Sequence, residues 1–363
     1  MSGRERLVAD RRRMTPHQVT TARRPDGQFP IDADLASMLP FELRPVPRIA
    51  NVDRDTFEHV VRRADSPMIL EGVVDDWEAL ERWTTQDRFA ELIDRDEPIR
   101  CRRIVEDAER YTEDFQPTDW GTLLDQVYGS ADSDRYLTQA LVYEPVGLMR
   151  RMIRSSFPGL LQDLFVDCKL PAFVRPDEIG EGILWVGSTH QVTPLHFDPT
   201  ANINCTLVGR KRWILFPPDE APNLMVGDNH GLDCMLTPLD ELIVDGRWIG
   251  GPVKRAFEVF TEPGDTLYLP AGWQHHVISP DELTIAVNFW YVAIDELSAY
   301  WDYARLLAID QLGFRPRIRR RLFSAAAMAG VVGARVAYAI SPRLLPMPDL
   351  AVGAATYDHT VTL

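Results

Sequence analysis

From residue 182 to residue 291 the chain is written in short apolar runs broken by Gly, Pro and Asp, and few folds accept that pattern. The runs are 183–187, 193–198, 202–208, 211–216, 265–269, 275–279 and 283–291, with a tight turn at Gly209-Arg210 and a stop at Pro217-Pro218. Read as strands, runs at this spacing predict a mainly β core, an antiparallel sandwich or barrel. A loop-rich insert at 219–256 interrupts the series.

Upstream the texture is mixed. Residues 56–63 read as a short helix with Asp55 as its N-cap, 67–74 as a buried strand ending in a turn, and 77–83 and 85–93 as helical stretches. A strand is expected at 97–104. Trp120, Leu123, Leu124 and Val127 have helical spacing, 135–141 alternates as a strand does, and 146–166 reads as a helical connector. The N-terminal helices are expected to cover one outer face of the β core.

Three units follow. Residues 1–45 mix Arg, Asp, Pro and Gly without a period and read as a flexible extension. Residues 46–295 form the domain, and 296–363 a C-terminal helical region. Within the last, 323–340 is apolar and nears membrane-spanning length, but Arg335 interrupts it and Ala and Gly are only weakly apolar. It reads as a buried or subunit-contact helix, with no membrane span expected. Ala326 and Gly330 permit close helix packing, so 296–340 is a candidate homodimer contact.

A formal net charge of −15 argues against general affinity for nucleic acid or anionic membrane. Arg clusters at 4–24 and 315–321 read as solvated surface. Cys101, Cys168, Cys205 and Cys234 form no CxxC pair, and no apolar core follows the charged start. Free thiols in a reducing compartment, read as cytoplasmic, are expected.

The chemistry sits in Pro194-Leu195-His196-Phe197-Asp198-Pro199. In an extended stretch His196 and Asp198 project to one side. An imidazole and a carboxylate together are two-thirds of a facial triad that suits non-haem Fe(II). The pair alone is weak, since 8 histidines and 54 acidic residues in 363 positions give about one His-x-acid by chance. The third ligand has to come from a distant strand, expected on the facing sheet. Cys, Asp and Glu are eligible, with His275 and His276 the natural candidates.

Five stretches in order carry a resemblance. They are Thr193-Pro194-Leu195-His196-Phe197-Asp198, Gly209-Arg210-Lys211-Arg212-Trp213-Ile214-Leu215-Phe216-Pro217-Pro218, Pro263-Gly264-Asp265-Thr266-Leu267-Tyr268-Leu269-Pro270, Trp273-Gln274-His275-His276 and Val287-Asn288-Phe289-Trp290-Tyr291. With them the chain resembles the cupin-type JmjC oxygenases, most closely the asparaginyl hydroxylase type known as factor inhibiting hypoxia-inducible factor. It departs from the family pattern at Gln274, where a second Trp is usual, and throughout 219–256.

The resemblance implies a double-stranded β-helix holding Fe(II) and 2-oxoglutarate, which with O2 hydroxylates an unactivated C–H bond. His196, Asp198 and His275 match the metal ligands, His275 because it falls two after Trp273. His276 is then expected on the opposite face of its strand. Lys211 matches the lysine that holds the cosubstrate's distal carboxylate, with Thr193 and Tyr136 as hydroxyl donors to it. Asn202, Asn288 and Trp290 match residues beside the cosubstrate. The nearest resemblance favours hydroxylation of a protein or peptide side chain. Tailoring of a small molecule, such as an amino acid or natural product, is the alternative, and a non-catalytic metal-binding cupin module is a third reading. Modification of a tRNA base is a fourth.

Overall fold

In the computed structural model the described residues are 38–103, 115–129, 135–143, 161–188, 191–198, 200–224, 239–244 and 247–291. Most of the N-terminal extension, most of the 146–166 connector, both Arg clusters, Cys234 and the C-terminal helical region with its candidate dimer contact lie outside them.

The first six strands are β1 (Leu43–Pro45), β2 (Arg48–Ala50), β3 (Met68–Glu71), β4 (Pro98–Arg103), β5 (Phe115–Asp119) and β6 (Arg135–Tyr143). Next come β7 (Ile179–Ser188), β8 (Gln191–Phe197), β9 (Ala201–Val208), β10 (Lys211–Phe216), β11 (Ile243–Val244) and β12 (Arg247–Trp248). The series ends with β13 (Ala256–Thr261), β14 (Thr266–Leu269), β15 (Gln274–Ser279) and β16 (Leu283–Tyr291). A nine-stranded sheet runs β2-β3-β14-β9-β16-β7-β6-β4-β5, and a five-stranded sheet runs β1-β13-β10-β15-β8.

Chain order across the two sheets gives the architecture. β7, β9, β14 and β16 lie in the large sheet, and β8, β10, β13 and β15 in the small one. The chain therefore winds back and forth between layers as a jelly roll, a double-stranded β-helix. Trp213, Leu215 and Val277 of the small sheet pack with Ile69, Leu267 and Leu269 of the large one, which closes one part of the interior with apolar side chains. The remaining interior is polar, and the site lies there.

Alternation assigns each residue to a layer. On β9, Ala201, Ile203, Cys205 and Leu207 face outward into an apolar layer, where Phe57, Trp77, Trp83, Phe89, Trp120 and Leu124 of the N-terminal helices and the turns beside them cover them. On β10, Ile214 and Phe216 face outward, and residues of 38–43 and of the 219–256 insert cover them, Leu39, Leu224, Leu239, Leu242 and Ile243 among them. The insert is thus backing for the small sheet. Cys101, Cys168 and Cys205 are buried free thiols. No helix among the described residues is long and apolar enough to cross a membrane.

Three local expectations need correction. The helix expected at 56–63 starts earlier, at Arg54–Thr56, continues as a π turn at Phe57–Val61, and ends as a 3-10 turn at Arg62–Ala64. Its cap is Asp53, whose Oδ1 accepts from the Thr56 N–H at 2.8 Å, and not Asp55. Second, β13 is a strand that the sequence reading leaves unassigned. It pairs with β10 over five residues, but Glu258 and the exposed Phe260 spoil its apolar alternation, because Arg212 pairs with the one and stacks on the other. The third concerns the strand that supplies His275, described below.

The Gly209 turn joins β9 to β10 and so sets the register of Lys211. Its φ is +65°, and a Cβ there would stand 2.0 Å from the Leu283 carbonyl oxygen. Both strain and clash oppose any side chain. Gly209→Ala is expected to cost more than about 2 kcal/mol of unfolding free energy. An unchanged urea midpoint would show that this turn can rearrange.

Candidate metal centre

β8 ends at Phe197, and Asp198 follows as the chain leaves the sheet. β15 lies beside β8, with His275 directly opposite His196. The two imidazoles therefore come from neighbouring strands of one sheet. The expectation of a ligand from the facing sheet fails because a jelly roll returns its seventh strand next to its second. The rings lie 4.0 Å apart, centroid to centroid. Asp198 closes the triangle, with Oδ1 3.8 Å from His196 Nε2 and Oδ2 3.4 Å from His275 Nε2. One ligand atom from each of the three lies within 4.8 Å of the others.

The donor set suits a cation. His275 Nδ1 stands 2.9 Å from the Trp273 carbonyl oxygen. That oxygen only accepts, so Nδ1 carries the hydrogen and a neutral ring turns its Nε2 lone pair toward the Asp198 carboxylate. Two electron-rich atoms so placed need positive charge between them, a proton or a metal ion. Two imidazoles and one carboxylate on one side are the donors of a facial Fe(II) triad. The backbone holds the arrangement, since Gly272 N–H donates to the Asp198 carbonyl at 2.7 Å. Burial pushes the Asp198 carboxyl up, but positive charge on His275 and His196, with hydrogen bonds from His275 and the Asn202 amide, outweighs it and holds the group below the usual carboxylate range.

A bulge shapes the rest. Between the pairs His275–His196 and Val277–Thr193, β8 spends three residues against two of β15. Directly opposed residues share a face, so Thr193 and His196 both point inward despite their odd separation. His276 takes the other face, opposite Ile214. Burial pushes its pKa down to about 3, with help from Arg212, so its ring is neutral.

Lys211 faces inward on β10 with Trp213 and Leu215, and is 3% exposed. Its Nζ lies 5.6 Å from the centre of the Trp185 ring. Among the described residues no carboxylate lies within ion-pairing distance of it, and burial pushes its pKa down to about 7. Trp185 also stands 5.9 Å from Tyr136, and its Nε1 donates to Asn288 Oδ1 at 2.5 Å. Trp290 lies opposite Asn202 in the β16–β9 register, one step toward Asp198 from the Asn288–Asn204 pair. The residues that the sequence singles out thus share one interior. Two further wall residues, Trp185 and Asn204, escape the sequence reading. Their signals were a Trp at an alternate position of 183–187 and a second Asn two after Asn202 in an otherwise apolar run.

The chain is similar to several known proteins. The "tRNA wybutosine-synthesizing protein 4" of Neurospora crassa is 26% identical over 69% of this chain and 20% of its own length. The "bifunctional arginine demethylase and lysyl-hydroxylase psr-1" of Caenorhabditis briggsae is 26% identical over 70% of this chain and 64% of its own. "Lysine-specific demethylase 8" of Xenopus tropicalis is 27% identical over 62% of this chain and 48% of its own. The chain therefore spans between a fifth and two thirds of the length of these relatives. None of the three is by name an asparaginyl hydroxylase, so the likeness extends to the wider group of JmjC hydroxylases and demethylases. The cupin-like domain profile matches residues 54–296, which is more than half of the sequence, and the chain belongs to the cupin-like (JmjC) family.

Proposed function

We propose that this protein is an Fe(II)- and 2-oxoglutarate-dependent oxygenase that hydroxylates an unactivated C–H bond on a protein or peptide side chain. His196, Asp198 and His275 would hold the metal. With Fe(II) bound there, O2 would be the oxidant and 2-oxoglutarate the co-reductant, one oxygen atom going into the C–H bond and the other into succinate, with loss of CO2.

Lys211 is the observation that carries the cosubstrate. A buried ammonium is costly without an anion, and here the described residues supply none. It stands on β10 four residues from Leu215, which is level with His275. That is about 13 Å of strand rise, shortened at both ends by side chains that reach inward. A five-carbon dicarboxylate fits the remaining span, one end at the triad and one at Nζ. Thr193 and Tyr136 hold the distal carboxylate as hydroxyl donors, and Asn202, Asn288 and Trp290 lie beside the cosubstrate. Trp185 keeps water from the lysine and orients the Asn288 amide.

Relatives whose names specify arginine and lysine chemistry support a protein substrate. The test is incubation with Fe(II), ascorbate, 2-oxoglutarate and a peptide library. The expected result is succinate in step with a mass gain of one oxygen on a side chain. Turnover of free amino acids or metabolites alone would replace this reading with small-molecule tailoring. If no substrate prompts 2-oxoglutarate consumption, and Mn(II) with 2-oxoglutarate gives no thermal shift, a non-catalytic cupin module remains.

A further inference from the structure

The interior wall next to the triad holds three asparagines. Asn202 and Asn204 project from β9 and Asn288 from β16, at 6%, 3% and 0% exposure. Asn204 and Asn288 are directly opposed, and Asn202 is the next inward residue of β9 toward Asp198. Their neighbours fix two of the three amides. An indole N–H only donates, so the atom 2.5 Å from Trp185 Nε1 is Asn288 Oδ1, and Nδ2 is the end left over. A carboxylate only accepts, so Asn202 turns its amide nitrogen to Asp198 and leaves Oδ1 over.

Those leftover atoms are buried. Asn202 Oδ1, Asn204 Oδ1 and Asn288 Nδ2 have no hydrogen-bond partner among the described residues. Each such atom is destabilising if nothing satisfies it, and three on one wall form a pattern of two acceptors and one donor. The complement is a small neutral group with two hydrogens to give and one lone pair to offer. A carboxylate has no hydrogen for either carbonyl. A metal cation would meet the Asn288 N–H, with the Lys211 ammonium on the same interior. A water molecule matches all three and falls within the usual two to four partners of a buried water.

We propose that Asn202, Asn204 and Asn288 bind one ordered water, and that Asn204 acts through it as a positioning residue for Asp198. The water pulls Asn202 Oδ1 one way, so the Asn202 amide stays aimed at the carboxylate. This rests on the buried polar atoms and the triad, and not on the oxygenase reading.

The test begins with a high-resolution crystal structure of the metal-free protein. Expected is one density peak within hydrogen-bond distance of Asn202 Oδ1, Asn204 Oδ1 and Asn288 Nδ2. No peak, a peak with the short contacts of a metal ion, or the three amides bonded to one another would overturn the site, and this readout needs no variant. Mn(II) titration then tests the positioning. Asn204→Leu, of similar size, is expected to expel the water and weaken Mn(II) binding by about 3- to 10-fold, below the 10- to 100-fold of a direct partner of a ligand. Asn204→Ser, which keeps an acceptor and leaves room for solvent, is expected to bind Mn(II) within about twofold of the original. Equal Mn(II) affinity in Asn204→Leu, or equal losses in both variants, would overturn the positioning role.

Discussion

Replacing His275 with Ala is expected to weaken Mn(II) or Fe(II) binding by more than about 100-fold, because even partners one step removed from a metal commonly account for 10- to 100-fold. Replacing its neighbour His276 is expected to leave metal affinity within about twofold. The contrast follows from strand alternation. His275 faces the interior opposite His196, and its Nδ1 is tied to the Trp273 carbonyl at 2.9 Å. His276 faces the other way, into the layer that the insert covers, where burial keeps its ring neutral. His276→Ala should instead cost roughly 2 kcal/mol of stability through the space it opens among packed side chains. Calorimetric metal titration and urea unfolding of both variants separate the effects. The reverse result, with His276 needed for metal and His275 dispensable, would require β15 to pair one residue out of register and would turn its whole inward set outward.

What the sequence displays of this fold is what alternates. β9, β10, β15 and β16 are short runs bounded by turn residues and can be read directly, and each lies within a residue or so of its expected bounds. β13 is hidden because its stability comes from cross-strand partners, Arg212 with Glu258, which look like surface residues in isolation. The site divides the same way. His196 and Asp198 are two apart, so local geometry alone pairs them. His275 lies far along the chain, and residue spacing cannot say which strand it neighbours; only the resemblance selects it over His276. Lys211 looks like a solvated residue beside a turn, yet its burial is made by Trp185, which precedes it by 26 positions on the other sheet. Asn204 is uninformative until β16 places Asn288 opposite it. Local features are legible where one element creates them, and convergence of distant strands is not.

Lys211→Met is expected to shift two measurements in opposite directions. Without ligands the variant should be at least as stable as the original protein, because it replaces a buried ammonium by an apolar chain of similar length. Its affinity for 2-oxoglutarate should fall by on the order of 100-fold or more, since a carboxylate bound there would lose its partner while buried, at about 3 kcal/mol or above. The pH dependence has a definite sign. Burial lowers the folded pKa of Lys211 to about 7 from an ordinary value of 10.5. The unfolded chain therefore holds the extra proton between those two values, and this group's contribution to stability rises with pH across that window. Below about pH 7 both states are protonated, and the cost of the buried charge is fully present. Binding a dicarboxylate needs the charged form, so 2-oxoglutarate affinity should be flat below about pH 7 and fall by up to about tenfold per unit above it. Both slopes should vanish in Lys211→Met. Thermal unfolding with Mn(II), with and without 2-oxoglutarate, from pH 6 to pH 9 reads all of these at once. If Lys211→Met keeps the cosubstrate-induced shift, the anion binds elsewhere and the assignment of Lys211 is wrong. If it loses both that shift and its intrinsic stability, the lysine is a structural cation whose counter-charge lies beyond the described residues.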